Sequence, residues 1–358
     1  MPVIKRAFGQ LKDGRDVNSL VLIDSRNEFS VEILEYGATI RAITLPARDG
    51  RFVNAVLCYD TLAEYEDGNA YLGATIGRCA GRTAADAHAT LRLTRNEAAN
   101  HLHGGEIGFS HSLWQTAEVQ DGDTPSVRLR HRSPAGEDGY PGELLVDAEF
   151  SVVDALSLRV VIHARSDADT PLNLTLHPYF NLSGNPTGPV DDHRLRIDAS
   201  RILALDSAKL PTGDLIAVRG TPFDFREARP IGASRYDGHA QLHIADGYDH
   251  YYVLNESGLT ESALDESGRN GRGAVAAELY SPATALGVRV STNQRGIQFY
   301  SGNQLDKARP VPFPARGALC LEPHAFPNAI NEPRFPDIML RSGETYRYEA
   351  CYQFYRDA

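Results

Sequence analysis

Val127-Arg128-Leu129-Arg130-His131 alternates apolar and polar side chains without a break. A period of two is the mark of a strand with one buried face and one wet face. The signal recurs. Thr39 to Leu45, Leu144 to Val152, Leu158 to Ala164, Tyr251 to Leu254, Val288 to Thr292 and Tyr346 to Phe354 read as further strands. Turn formers punctuate them, as in Gly136-Glu137-Asp138-Gly139-Tyr140-Pro141-Gly142. Helical periodicity is scarce; Thr61-Leu62-Ala63-Glu64-Tyr65 has room for one turn or two. There is no strand–helix alternation and no glycine fingerprint for a dinucleotide, which argues against a nucleotide-binding α/β fold. The pattern predicts an all-β protein, a large antiparallel β-sandwich. The stretch from Asn255 to Gly273, rich in Ser, Glu and Gly, reads as an exposed loop, because strand patterning resumes at Ala274 unchanged. Residues 1–358 are expected to form a single domain.

At 358 residues the chain is long enough for a large core. Its net charge is −11 and it has no Lys/Arg-rich block, which argues against nucleic acid or an anionic membrane as partner. A neutral small molecule fits better. Cys58, Cys79, Cys320 and Cys351 are sparse and form no C-x-x-C pair, as in a reduced compartment. Met1-Pro2-Val3-Ile4-Lys5-Arg6 lacks the apolar segment of a signal peptide, and no apolar run is long enough to span a bilayer. A cytoplasmic protein, monomeric or weakly dimeric, is expected.

Several stretches could carry chemistry. His177-Pro178-Tyr179-Phe180-Asn181-Leu182 follows the strand-like run Leu172 to Leu176. It sets a group that exchanges protons near neutral pH beside aromatic faces suited to a small ligand. In Asn100-His101-Leu102-His103-Gly104-Gly105 the two histidines could share one strand face. That spacing suits two metal ligands, but zinc needs three or four and no nearby cluster supplies them, so no metal is expected. The bland alternative is a pair of loop histidines satisfied by backbone. The Gly-Gly after them permits a sharp turn or the close approach of a ligand. Gly77-Arg78-Cys79-Ala80-Gly81-Arg82 lacks the Lys-Ser/Thr of a phosphate loop. Its arginines suit sugar hydroxyls, although Arg78 reads better as a surface partner of a carboxylate. Glu322 follows the buried-strand run Ala318-Leu319-Cys320-Leu321. A partly desolvated carboxylate there is a stronger base, but taken alone Glu322 reads better as a structural ion-pair partner than as a catalyst.

Taken in order, these pieces resemble the aldose 1-epimerase family, which includes galactose mutarotase. The resemblance runs from Phe8-Gly9 through Tyr36-Gly37-Ala38, Gly73 to Arg78, Asn100 to Gly105 and Leu174 to Gly184. It continues through Pro211-Thr212-Gly213, Gly220 to Phe225, Gly247 to His250 and Gln298 to Asn303, and ends at Gly343 to Tyr346. It implies a galactose mutarotase-like supersandwich with an open sugar-binding cleft and an aldose as ligand. It further implies His177 as general acid, Glu322 as general base and His103 as a second active-site histidine. Arg82, Asp249 and Gln294 are implied as ligands of sugar hydroxyls, and Asn100 and Tyr179 as further substrate-binding residues. The chain departs from the family pattern at His324 (commonly glutamine), Asn328 (aspartate), Arg295 (proline) and Tyr251 (asparagine).

Interconverting anomers requires a proton taken from the C1 hydroxyl and one given to the ring oxygen. A base and an acid on opposite sides of the pyranose would do both, each contributing roughly a hundred- to ten-thousand-fold. Near neutral pH glutamate is largely ionised and histidine is cheaply protonated. No cofactor is needed. Three rivals follow from the same residues. A glycoside hydrolase would use two carboxylates. A non-catalytic sugar binder could keep Arg82 and Asp249. A hexose-6-phosphate 1-epimerase would need a basic pocket, with Arg295 and His324 as candidates.

Overall fold

The computed structural model describes residues 2–86, 91–154, 156–184, 188–234, 237–255 and 275–357. Most of the expected loop after Asn255 lies outside the described residues. The alternating segments are strands, and every pairing between them is antiparallel. Ser126–Ser133, which contains the alternating stretch, buries Val127, Leu129, His131 and Ser133 and turns its arginines outward. It lies near one edge of a nine-stranded sheet with Leu144–Asp154, Ser157–Ser166, Tyr346–Arg356 and Leu286–Thr292. The first five strands, from Ile4–Gln10 to Phe52–Asn54, form a meander. A six-stranded sheet runs in the order Tyr179–Phe180, Leu319–His324, Gly296–Tyr300, Asp249–Leu254, Ala199–Leu205 and Pro211–Ala217.

All three sheets contribute to one hydrophobic cluster. Leu20, Val31 and Ile43 meet Val146, Phe150, Val160 and Val288 there, and Phe180, Ile297, Phe299, Leu319 and Leu321 join from the six-stranded sheet. Two short α-helices occur among the described residues, Leu62–Glu66 and Ala240–Ala245. Thr61 caps the first with a complete capping box to Glu64, which ties down a helix otherwise too short to stand alone.

The six-stranded sheet positions the site, and its register shows how. Glu322 lies opposite Gln298 and Cys320 opposite Tyr300. Asp249 in turn lies opposite Tyr300, and Tyr251 opposite Gln298. Period-two geometry sends these residues to one face and Leu319, Leu321, Ile297, Phe299 and Tyr252 to the other. The second set fills the core. The first, apart from the fully buried Cys320, floors a cleft.

Arg78 corrects an expectation. It is not at the surface but 2 % exposed. Its guanidinium donates to the carbonyl oxygens of Ser133, Pro134 and Pro141 and to the hydroxyls of Ser133 and Thr170. It ties the connection that follows Ser126–Ser133 to Thr170 rather than pairing with a carboxylate. The glycine pair is also structural. Gly104 has φ of +92°, and a Cβ there would come within 1.7 Å of the Gly77 carbonyl oxygen, so the backbone approach it permits is to the protein itself.

Candidate active site

The cleft is open to solvent and has a cavity of about 180 Å³, room for one small ligand. His177 enters it between two fixed backbone contacts. Its N–H donates to the Ala74 carbonyl, and its own carbonyl accepts from Gly73. Tyr179, two residues on, faces the same side with its ring centroid 4.9 Å from the imidazole. Phe180 points into the core instead, so one of the two neighbouring rings lines the cleft.

Glu322 rises from the floor beside His177. Its Oε1 stands 3.6 Å from His177 Nε2, and both side chains are almost fully buried. That is nearer than the expected placement on opposite sides of a pyranose. The two groups converge on one point, with no room for a ring between them. Cys320 Sγ sits 3.5 Å from the other imidazole nitrogen, a weak partner that leaves Nε2 to the cleft.

His103 completes the cluster, 5.1 Å from His177 between ring centroids. It does not share a face with His101. The strand Asn100–Leu102 ends before it, and His103 takes φ of +52°, which breaks the alternation and turns the ring into the cleft. This left-handed backbone at a non-glycine residue is the kind of strain found at functional sites. His101 stays behind, bonded to the Thr94 carbonyl and the Tyr140 hydroxyl. His103 Nδ1 accepts from the Gly81 N–H, so the neutral ring carries its proton on Nε2 and offers the cleft a donor. Tyr71, absent from the sequence reading, packs 4.9 Å from His103 and 6.1 Å from His177.

Asp249 and Arg82 form the other wall. Arg82 Nη1 donates to Asp249 Oδ2 at 3.0 Å, and its remaining nitrogens grip both oxygens of Glu97. Gln298 Nε2 donates to Asp249 Oδ1 at 2.7 Å. Gln298 opens the Gln298–Asn303 stretch of the family resemblance, and its register opposite Glu322 is the signal that finds it. Gln294 does not line the cleft. It lies in the turn before that strand, bonded to Thr292 and Asn293. Asn100 also stays outside and donates to the Ala208 carbonyl. Of the remaining departures, Asn328 ties Ala84 to Asn331 through its side-chain oxygen.

The charge states follow from burial. Desolvation pushes Glu322 well above the ordinary carboxylate range, helped by the nearby Asp249 charge and opposed by Arg82. Desolvation pulls His177 down to about 4 and His103 well below its usual value, where the His177 charge acts in the same direction. Burial pushes Asp249 up as well, but Arg82 and the Gln298 hydrogen bond together outweigh it and hold the carboxyl below its usual value. The expectation of an ionised glutamate and a cheaply protonated histidine is therefore corrected. Each group alone prefers to be neutral, so Glu322 and His177 share one proton between them.

Donor atoms of His103, His177 and Glu322 lie within 4.8 Å of one another, a spacing a metal ion could use. The chemistry of the set fits poorly, because the His103 nitrogen left to the cleft is an N–H and not a lone pair.

Residues 19–353 match the family model described as aldose 1-epimerase. The chain belongs to that family. It is 34% identical to the galactose mutarotase of Homo sapiens over 360 residues, which covers 98% of each chain. It is 33% identical to the aldose 1-epimerase of Escherichia coli strain K12 over 356 residues, 96% of each. Its fold resembles the crystal structure of a galactose 1-epimerase from Lactobacillus acidophilus, with TM-score 0.85 at 26% identity over 99% of both chains. The names of these relatives are those of carbohydrate isomerases, and the solved structure shares the antiparallel all-β fold of this chain.

Proposed function

We propose that the protein interconverts the α and β anomers of a free aldose, with Glu322 as general base and His177 as general acid. One observation carries this: a carboxylate and an imidazole converge to 3.6 Å in a sugar-sized cleft. The two oxygens that exchange protons in ring opening, the C1 hydroxyl and the ring oxygen, are both bonded to C1. An acid and a base that converge serve two such neighbouring atoms.

In the working direction Glu322 removes the C1 hydroxyl proton. The C1–O electrons form the aldehyde carbonyl, the bond from C1 to the ring oxygen breaks, and His177 protonates that oxygen. The pair then holds its single proton on Glu322. Rotation about C1–C2 presents the other carbonyl face. His177 takes back the proton from the attacking hydroxyl, and Glu322 protonates the new C1 oxygen. Atoms and charge balance, and the pair returns to its starting state. His103 Nε2–H steadies the ring oxygen. Asp249, Arg82 and Tyr179 hold the hydroxyls and one face of the ring while C1 rotates.

The cores of the three sheets are continuous, which supports treating residues 1–358 as one catalytic unit. The cysteines are all free, which supports a cytoplasmic protein, and we take it as a monomer or weak homodimer. No helix among the described residues is long and apolar enough to cross a membrane. A phosphorylated aldose is a second reading, favoured by Lys209 and Lys307 in the cleft lining. Arg295, the earlier candidate for such a group, does not line the cleft. Polarimetry with freshly dissolved glucose, galactose, xylose, arabinose and glucose 6-phosphate tests both. Acceleration of the free sugars is expected, with no phenol released from a chromogenic glycoside. Binding without acceleration would leave a sugar-binding protein.

A further inference from the structure

We infer that His324 is a specificity-determining residue whose Nε2 lone pair accepts a hydrogen bond from one pyranose hydroxyl of the substrate. The inference rests on the proposed placement of the sugar in the cleft. His324 lines the cleft two residues beyond Glu322, on the same face of the same strand. Its Nδ1 lies 2.6 Å from the Ala325 carbonyl oxygen. A carbonyl can only accept, so Nδ1 carries the proton and Nε2 presents a lone pair. Burial draws the ring down to about 4 and keeps it neutral at ordinary pH.

The surroundings hold this orientation. Asn173 clasps Ala325 from both sides, donating to its carbonyl and accepting its N–H. Tyr251 packs 5.2 Å from the imidazole and donates its hydroxyl to the His324 carbonyl at 2.9 Å. Tyr251 fits because Gly296 has no side chain; a Cβ there would come within 2.2 Å of the phenol ring. The Cε1 edge of His324, next to Nε2, faces Gly81 on the cleft wall. Among the described residues no donor reaches Nε2. His324 is braced on two sides, and its Nε2 opens to the cleft rather than into the core, an acceptor placed to take a hydrogen bond from a ligand.

His324 and Tyr251 are two of the positions where the chain departs from the family pattern, and here they form one unit. A glutamine amide could turn to donate or accept. The imidazole, tied at Nδ1, can only accept. It therefore selects a hydroxyl and disfavours hydrogen or fluorine at that position.

The test measures kcat/KM for a parent aldose and its monodeoxy analogues, one hydroxyl removed at a time, with the wild type, His324→Gln and His324→Phe. In the wild type one analogue is expected to lose roughly three- to tenfold through this contact. That penalty should vanish in His324→Phe, persist at least in part in His324→Gln, and leave penalties at other positions in place. An unchanged pattern, or an equal fall for every sugar, overturns the inference. Nitrogen NMR of the wild type decides it without any variant. The His324 Nε2 resonance should shift on saturation with the parent aldose and stay put with the discriminating analogue; a resonance that ignores both overturns it. A wild type that accelerates no sugar's anomerisation would count against the proposed reaction, while the NMR arm would still judge the contact.

Discussion

Replacing Glu322 by glutamine removes the base and the counter-ion of the acid in one step. With its pKa drawn to about 4, His177 alone would cost about 4 kcal/mol to protonate at pH 7, at about 1.4 kcal/mol per pH unit. A carboxylate 3.6 Å away offers an attraction of about 4 to 5 kcal/mol at an effective dielectric of about 20. The two terms nearly cancel. Beside the carboxylate, protonated His177 is therefore held at little cost at pH 7, and its proton is ready for the ring oxygen as the ring opens. In Glu322→Gln the attraction is gone. Protonated His177 drops to roughly one molecule in a thousand at pH 7, and no carboxylate remains to accept the C1 proton. Turnover in polarimetry, corrected for the spontaneous rate, should fall at least about a thousandfold, while sugar binding by calorimetry persists. The folded pKa of Glu322 is raised, so the native state holds a proton that the unfolded chain gives up. Stability therefore falls as pH rises from the unfolded value toward the folded one. The glutamine variant escapes this loss. It should melt higher than the wild type at pH 7 and equal to it near pH 4. A loss of less than tenfold in turnover, or a lower melting temperature at pH 7, would refute the shared-proton reasoning.

Other consequences are as direct. The acid limb of the kcat profile should fall near pH 4, where His177 takes a second proton onto the pair; a limb at an ordinary histidine pKa near 6.5 would contradict its burial. Activity should fall again on the alkaline side, where the pair loses its only proton, at a pH above the usual glutamate range. His177→Asn should lower kcat by roughly a hundred- to ten-thousand-fold with KM little changed; a change confined to KM would make His177 a binding group. Arg78→Ala should destabilise by at least about 3 kcal/mol, because it strands buried carbonyls of Ser133, Pro134 and Pro141. Denaturant melts check it, and a loss under about 1 kcal/mol would mean that water replaces the guanidinium.

The all-β architecture was legible because a strand with one wet face writes its period into the residues, as in Val127 to His131. Leu319 and Leu321 read as buried because they sit in an unbroken apolar run, and that placed Glu322 at the edge of a core. Pairing between distant strands leaves no such local trace. Gln298 lies opposite Glu322 only because two strands share a register, so Gln294, four residues earlier, was named in its stead. His103 escaped the alternation through its left-handed backbone, which no neighbouring residue type signals. Arg78 read as a surface group because a buried guanidinium is rare; its acceptors come from loops more than fifty residues away. The charge states were misjudged on the same ground. Burial decides whether His177 is protonated, and burial belongs to the folded chain.

The most direct measurement is a crystal structure of the Glu322→Gln variant with an aldose bound. The C1 oxygen should lie within hydrogen-bond distance of residue 322 and the ring oxygen within the same reach of His177 Nε2, with the pyranose beside the pair. An anomeric carbon held at the far end of the cleft, out of reach of both side chains, would contradict the account.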